Sequence, residues 1–227
     1  MPEDLSMVLE YKSVTFRLAT GSSSGPLSAT AAAGAVVALV ANGHDAACLF
    51  DISEGLVTPE SGNVLFAGRD WRDAGPSEEN RMRAEIGRVF RGKAWISNLS
   101  VLENITLARV FHSGVDVDRD LHVAMQDAGV DSIPSCRPHE LNESDSMVCQ
   151  WLRAFLGPRR LVLLEEPVAG VPEDRLEGLA RLMRRCVERG GAIVVTGHGE
   201  SVLKHLSPVP ARVMSMLNGQ WVDGGGG

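Results

Sequence analysis

Hydrophobic positions along the chain fall into runs of two kinds. Val8–Phe16 (VLEYKSVTF) alternates in part and has strand composition. Ala35–Val40 (AVVALV), Leu161–Leu164 (LVLL) and Ala192–Thr196 (AIVVT) are almost wholly apolar, the pattern of short strands buried on both faces. Asn63–Phe66 and Ile86–Phe90 (IGRVF) predict two more strands, and Ala211–Leu217 with Gln220–Val222 predicts a hairpin turning at Asn218-Gly219. Mixed polar and apolar segments predict helices over Cys48–Ser53, Ser77–Glu85, Val101–Val110, Asp118–Ala128, Ser144–Phe155 and Pro172–Glu188. The last carries an apolar stripe at Leu176, Leu179, Leu182 and Met183. Ser100 and Glu103 form a capping box for the third of these helices. Residues 19–25 and Thr58–Gly62 read as turns, and Ala41–Asp45 as a loop. Apolar strands alternating with helices predict an α/β fold with a largely parallel core sheet, and antiparallel-looking strands cluster near the N-terminus.

Composition narrows the class. Of 227 residues, 44% are hydrophobic and 22% charged, enough to build a sizeable core and to exclude disorder as the default state. That length predicts one domain over 1–223, with Gly224–Gly227 as a flexible tail. A net charge of -7 argues against nucleic acid as a partner. The longest apolar-plus-glycine run, Ala31 to Ala41, is too short for a bilayer helix of roughly 20 residues. No secretory leader pattern is present, so a cytoplasmic protein is expected, reaching a membrane only through another protein. The four cysteines are scattered without a C-x-x-C pair and read as reduced. Of the 22 basic residues only three are lysines: Lys12, Lys93 and Lys204.

Several segments then fall into a recognisable order. VALV leads through a loop to Glu54-Gly55-Leu56, then TPESGNVLFAGRD, IGRVF, NLSVLENITL, PHELNESD, WLRAFLGPRRLVLLEEPVAGV and GAIVVTGH. Their order and spacing, over roughly residues 8–222, resembles the ATPase subunit of an ABC transporter. The resemblance implies a P-loop NTPase-like parallel core sheet, an N-terminal antiparallel β subdomain and a helical subdomain over roughly 93–157. It also implies ATP and magnesium as cofactors, a transmembrane permease as partner, and a homodimer or a heterodimer with another such subunit. NLSVLENITL and EEPVAGV look most like subunits serving lipid or hydrophobic-substrate transporters.

The residues that carry the family's chemistry are largely replaced. A phosphate loop reads G-x-x-x-x-G-K-[ST], with backbone amides and Lys on the phosphates and the hydroxyl on magnesium. Here the segment is Ala41-Asn42-Gly43-His44-Asp45-Ala46-Ala47-Cys48, with no lysine and with Cys48 near the hydroxyl position; counted on to Gly55, it is one residue shorter than the family pattern. It reads either as a plain strand-to-helix connection or as a residual site with His44 as donor, and Asp45 would repel a phosphate. The family's glutamine after the IGRVF strand is Arg91, either a phosphate contact or a surface arginine. The phosphate-capping LSGGQ segment reads Leu141-Asn142-Glu143-Ser144-Asp145. Its acidic residues suit a helix N-terminus and exclude an anion there. The adenine-stacking aromatic maps near Leu18.

Two elements persist. Glu165 stands at the metal-associated aspartate and Glu166 at the general base, a carboxylate pair at a strand's C-terminal end. His198 resembles the γ-phosphate histidine, after an apparent insertion of Gly197. The segment Arg91 to Phe111 corresponds to the groove that receives a permease, with Arg91, Trp95 and Ile96 as docking candidates; Trp95 also fits an ordinary subdomain core. Losing the lysine, hydroxyl, glutamine and capping loop removes most of what drives phosphoryl transfer. The expectation is a pseudo-ATPase without a firmly bound cofactor. An active or weakly active ATP-binding subunit energising transport, either alone or paired with an intact ATPase, is the alternative.

Overall fold

In the computed structural model the chain is described over residues 7–92, 94–112, 117–197 and 211–224. Strands β1 (Met7–Thr15), β2 (Leu27–Ala32), β4 (Ser61–Phe66) and β5 (Arg69–Asp70) form an antiparallel sheet in the order β2-β1-β4-β5. A second sheet has the order β10-β9-β3-β8-β7-β6, from β3 (Val36–Val40), β6 (Ile86–Val89), β7 (Leu161–Glu165), β8 (Ala192–Thr196), β9 (Ala211–Leu217) and β10 (Gln220–Asp223). In it β9, β3, β8, β7 and β6 run parallel, and β10 closes the edge as an antiparallel hairpin strand. The helices are α1 (Gly43–Ser53), α2 (Pro76–Ala84), α3 (Val101–His112), α4 (Val117–Ala128), α5 (Glu143–Phe155) and α6 (Leu176–Glu188). No helix among the described residues is long and apolar enough to cross a membrane.

The apolar strands are buried on both faces because each face has its own cover. Val36, Ala38, Val162, Leu164, Ile193 and Val195 pack toward α5 and α6. Their neighbours Val37, Leu39, Leu161, Leu163 and Val194 pack toward α1 and the antiparallel sheet. Successive side chains of a strand point to opposite faces, so one uninterrupted apolar run serves two cores.

Four expectations change in detail. Leu27–Ala32 is a strand where the sequence reading assigned no element; its small Ala and Ser residues have weak strand composition, yet they alternate between buried and exposed. Helix α1 starts at Gly43 rather than Cys48, because Asn42 caps it. The predicted helix over 172–188 splits into a 3-10 turn (Glu173–Arg175) followed by α6. Asp70 and Arg69 add a short fourth strand beyond the turn at Ala67-Gly68. The box at Ser100 forms as expected: the Ser100 amide donates to Glu103 at 2.7 Å and the Glu103 amide to Ser100 Oγ at 3.2 Å.

Helix α5 is the main buttress of the parallel sheet. A Cβ on Gly87 of β6 would overlap the Ala154 carbonyl, so helix and strand approach closely only because Gly87 has no side chain. Trp151 is fully buried and donates its indole N–H to the Pro167 carbonyl at 2.8 Å, tying α5 to the loop that leaves β7.

Candidate functional site at the carboxyl ends of the parallel strands

Open parallel sheets bind ligands beyond the carboxyl ends of their strands. There the chain brings together α1, the segment after β6, and Glu165 and Glu166 after β7. Only two residues, Ala41 and Asn42, link β3 to α1. A link this short leaves no run of amides to wrap a phosphate. The helix terminus is satisfied internally: Asn42 Oδ1 accepts from the Asp45 amide at 3.1 Å, and Asn42 Nδ2 donates to Asp45. Asp45 is 2% exposed and its Oδ1 accepts the Ala19 amide at 2.8 Å, so it also stitches α1 to the chain leaving β1. His44 is exposed, Gly43, Ala47 and Cys48 are half-buried, and Ala46 is buried. Burial, then Asp51 and Asp45, push the Cys48 thiol up, which keeps it protonated and a poor ligand for a hard cation. Leu18 is buried in the core rather than offered to a base. Asp45→Ala should cost about 1–3 kcal/mol by orphaning the Ala19 amide and uncapping α1. A lower denaturant midpoint at unchanged slope would register it.

The same asparagine-aspartate box closes α5. Asn142 Oδ1 accepts from the Asp145 amide at 2.8 Å, and its Nδ2 donates to Asp145 Oδ2 at 2.7 Å. Arg175 adds an ion pair to Asp145 at 2.8 Å and a hydrogen bond to Ser144 at 2.9 Å. Glu143 lies across Gly170, where a Cβ would meet its carboxyl group, and the left-handed backbone there (φ +69°) also favours glycine. Both helix termini that would face phosphate in the family are thus capped by the chain's own side chains.

The centre of the site is a residue the sequence reading passed over. Arg88 lies on β6, on the face that meets α1, with its side chain 4% exposed. Its guanidinium donates to Asp51 and Glu54 of α1 and its C-terminal cap, each at 2.6 Å, to Glu165 at the end of β7, and to the Ala47 carbonyl at 3.3 Å. Phe50 and Phe90 flank it, their ring centroids 5.7 and 4.5 Å away. Burial alone would pull Arg88 down, but Glu54, Glu165 and Asp51 raise it beyond its ordinary value. One cation shared by three carboxylates leaves a surplus of negative charge, and Glu54, desolvated, is shifted upward despite Arg88. The signal was available in the sequence: an arginine inside an apolar, doubly covered strand must find partners.

Arg91, at the glutamine position, reaches over the start of α1. Its guanidinium lies against Gly43 and pairs with Glu166 at 3.2 Å, while its amide approaches Glu165 at 3.4 Å. Glu166 is held in the left-handed region at φ +44°, its amide donating to Thr196 at 2.9 Å. His198 lies outside the described residues. A magnesium triphosphate does not fit these groups: Arg88 already donates to Glu165 at 2.8 Å, and the segment from Ala41 to Cys48 offers neither a lysine for the phosphates nor a hydroxyl for the metal.

The segment after β6 is fastened to the helices. Gln150, 2% exposed, accepts the Phe90 amide at 3.0 Å and donates to the Gly92 carbonyl at 3.3 Å. Trp95 Nε1 donates to Ser146 at 3.0 Å, and Arg153 covers the Trp95 ring at 4.7 Å. Asn104 takes the Ile96 amide at 2.8 Å. Trp95 packs partly into the helical core, whereas the side chain of Ile96 faces solvent. Leu102, Val110 and Phe111 are also exposed on α3.

A family model described as ABC transporter matches residues 25–169. The ribose import ATP-binding protein RbsA 2 of Agrobacterium fabrum is 28% identical over 163 residues, 69% of this chain and 32% of that protein. The galactose/methyl galactoside import ATP-binding protein MglA of Escherichia coli K12 is 26% identical over 182 residues, 77% and 34% of the two. The chain therefore spans about a third of the length of the curated relatives it matches. A solved ATP-binding subunit of an ABC transporter superposes with a TM-score of 0.81 at 18% identity, over 95% of this chain and 90% of that one. A dimeric bacterial ABC transporter cassette does so at 0.80 and 19%, over 95% and 98%.

Proposed function

The chain belongs to the ABC transporter family, and from that premise we propose that it is a degenerate nucleotide-binding domain with little or no ATP hydrolysis. It would dock on a permease from the cytoplasmic side, as one half of a homodimer or heterodimer, and serve as a structural or regulatory component. The observation that carries this reading is the Arg88–Glu165 pair. A guanidinium fixed on the carboxylate at the metal position engages the oxygen that a magnesium ion would need as a ligand. Arg91 against Gly43 and the two asparagine-aspartate boxes support the same conclusion. Pairing with an intact ATPase would not repair the chemistry, since both of this chain's contributions to a composite head-to-tail site are altered. Exposed Ile96, at the end of the fastened segment, is our candidate apolar contact for the permease, with Arg91 and Trp95 beside it. The printed names of the relatives favour a sugar as the cargo of the associated transporter over the hydrophobic substrate expected from sequence.

Calorimetry with ATP, with and without magnesium, tests the proposal. The expected result is no magnesium-dependent binding tighter than millimolar. At 5 mM ATP this limits the stabilisation to about 1 kcal/mol, from RT ln(1 + [L]/Kd). Micromolar, magnesium-dependent binding would sink the reading and make Glu166→Gln the next comparison for hydrolysis.

A further inference from the structure

At the opposite end of the parallel strands, where Arg159 and Arg160 lead into β7 and Gly190 and Gly191 into β8, lies a cavity of about 560 Å³. Its walls come from α2, α3, α4 and α6 and the end of α5. Six arginines line it: Arg81, Arg109, Arg159, Arg160, Arg185 and Arg189. Three carboxylates face them, and each has an arginine within ion-pair distance, although Asp127 Oδ2 receives no hydrogen bond among the described residues. Asp120 pairs with Arg109 at 2.8 Å, Glu85 with Arg160 at 3.6 Å and Asp127 with Arg185 at 3.1 Å. Among the described residues no carboxylate lies within 4 Å of the guanidinium of Arg81, Arg159 or Arg189. A chain of net charge -7 thus gathers an excess of three positive charges around one hollow.

The donors are also incompletely used. Arg159 gives one N–H to the Ala84 carbonyl at 2.6 Å. Its Nε, and that of Arg185, are buried with no acceptor among the described residues. Burial, then the neighbouring charge of Arg109, pulls Arg159 down to about 10. Buried donors without acceptors beside crowded like charges are costly unless an anion supplies the missing oxygens. Phe155, Leu182 and Val123 give the cavity an apolar wall for an uncharged body.

We propose that this cavity binds a small organic phosphate, held by the guanidiniums of Arg159, Arg81 and Arg189. A phosphomonoester carries close to two negative charges and three acceptor oxygens, which suits guanidinium forks better than a lone carboxylate. The volume falls in the range of sites that enclose a whole small molecule, which favours a free metabolite over a lipid headgroup.

The test follows thermal stability of the full chain with pyrophosphate and fructose 1,6-bisphosphate, against sodium chloride of matched ionic strength. These probes replace ATP so that the result is independent of the site at the other end of the strands. A saturable rise in Tm at micromolar to low-millimolar ligand is expected. It should persist in Arg91→Ala and weaken about tenfold or more in the double variant Arg81→Glu/Arg189→Glu. Both residues are exposed, so this variant should fold, with an unchanged far-ultraviolet circular dichroism spectrum as the check. A rise no larger than with chloride, or one unaltered in the double variant, would overturn the proposal. So would sedimentation with vesicles of 30% phosphatidylglycerol in phosphatidylcholine without response to either soluble probe, which would assign the arginines to a membrane surface.

Discussion

Arg88→Met is expected to lower the stability of the folded chain by about 3–5 kcal/mol, the cost of leaving buried charges without their partner. For a chain of this length that is a fall in Tm of roughly 6–20 °C. The loss comes from the carboxylates more than from the arginine. Asp51, Glu54 and Glu165 converge on one guanidinium, and without it they repel one another across α1 and β7. Protonation would relieve them. Glu54 is already shifted upward by burial, so its favourable contribution is complete below the ordinary carboxylate value and is lost as pH rises through its higher folded value. In the variant, with Arg88 gone, that window widens. The deficit should therefore be larger at pH 8 than at pH 5, and adding Glu165→Gln should recover part of it. Melting curves at the two pH values would check both points. A deficit independent of pH would mean that the arginine acts by packing against Phe50 and Phe90 instead.

Trp151→Ala should cost about as much, roughly 3–5 kcal/mol, for a different reason. The ring is fully enclosed in the larger core, and truncation leaves a cavity that α5, pressed backbone to backbone against Gly87, has little freedom to collapse into. Trp151→Phe separates the two contributions of this side chain. It keeps most of the apolar volume and forfeits the bond to the Pro167 carbonyl, at about 1–3 kcal/mol. Thermal denaturation should rank the three proteins wild type, Phe, Ala. Equal losses for Phe and Ala would place the whole effect in that one hydrogen bond.

The parallel sheet was legible because its strands are short apolar runs with no competing period: AVVALV, LVLL and AIVVT all lie where the pattern puts them. Strand β2 was not, since LSATAA lacks the bulky branched residues that announce a strand and owes its state to pairing with β1. The start of α1 was missed because Asn42 to Asp45 was compared with a phosphate loop instead of being read as a cap followed, three residues on, by an acid. At Asn142 the same pattern sits before an obvious amphipathic helix and was read as a capped terminus. Glu165 and Glu166 were found by resemblance, but their partners were not. Arg88 is 77 residues from Glu165 in the chain and 34 from Glu54, separations at which local patterns carry no information.

The order of strands in the mixed sheet has a consequence for how the chain is made. Strand β3 ends at Val40, yet both of its neighbours, β8 and β9, begin at Ala192 or later. At ribosomal rates of about 5–20 residues per second, roughly 8–30 s pass between synthesis of the central strand and synthesis of anything that can pair with it. Throughout that interval an apolar segment with two open edges is present on the nascent chain, beside an antiparallel sheet that can already form. Yield in a cell should therefore depend on holding factors at the ribosome more than on the final stability of the fold, and slowing translation should lower it.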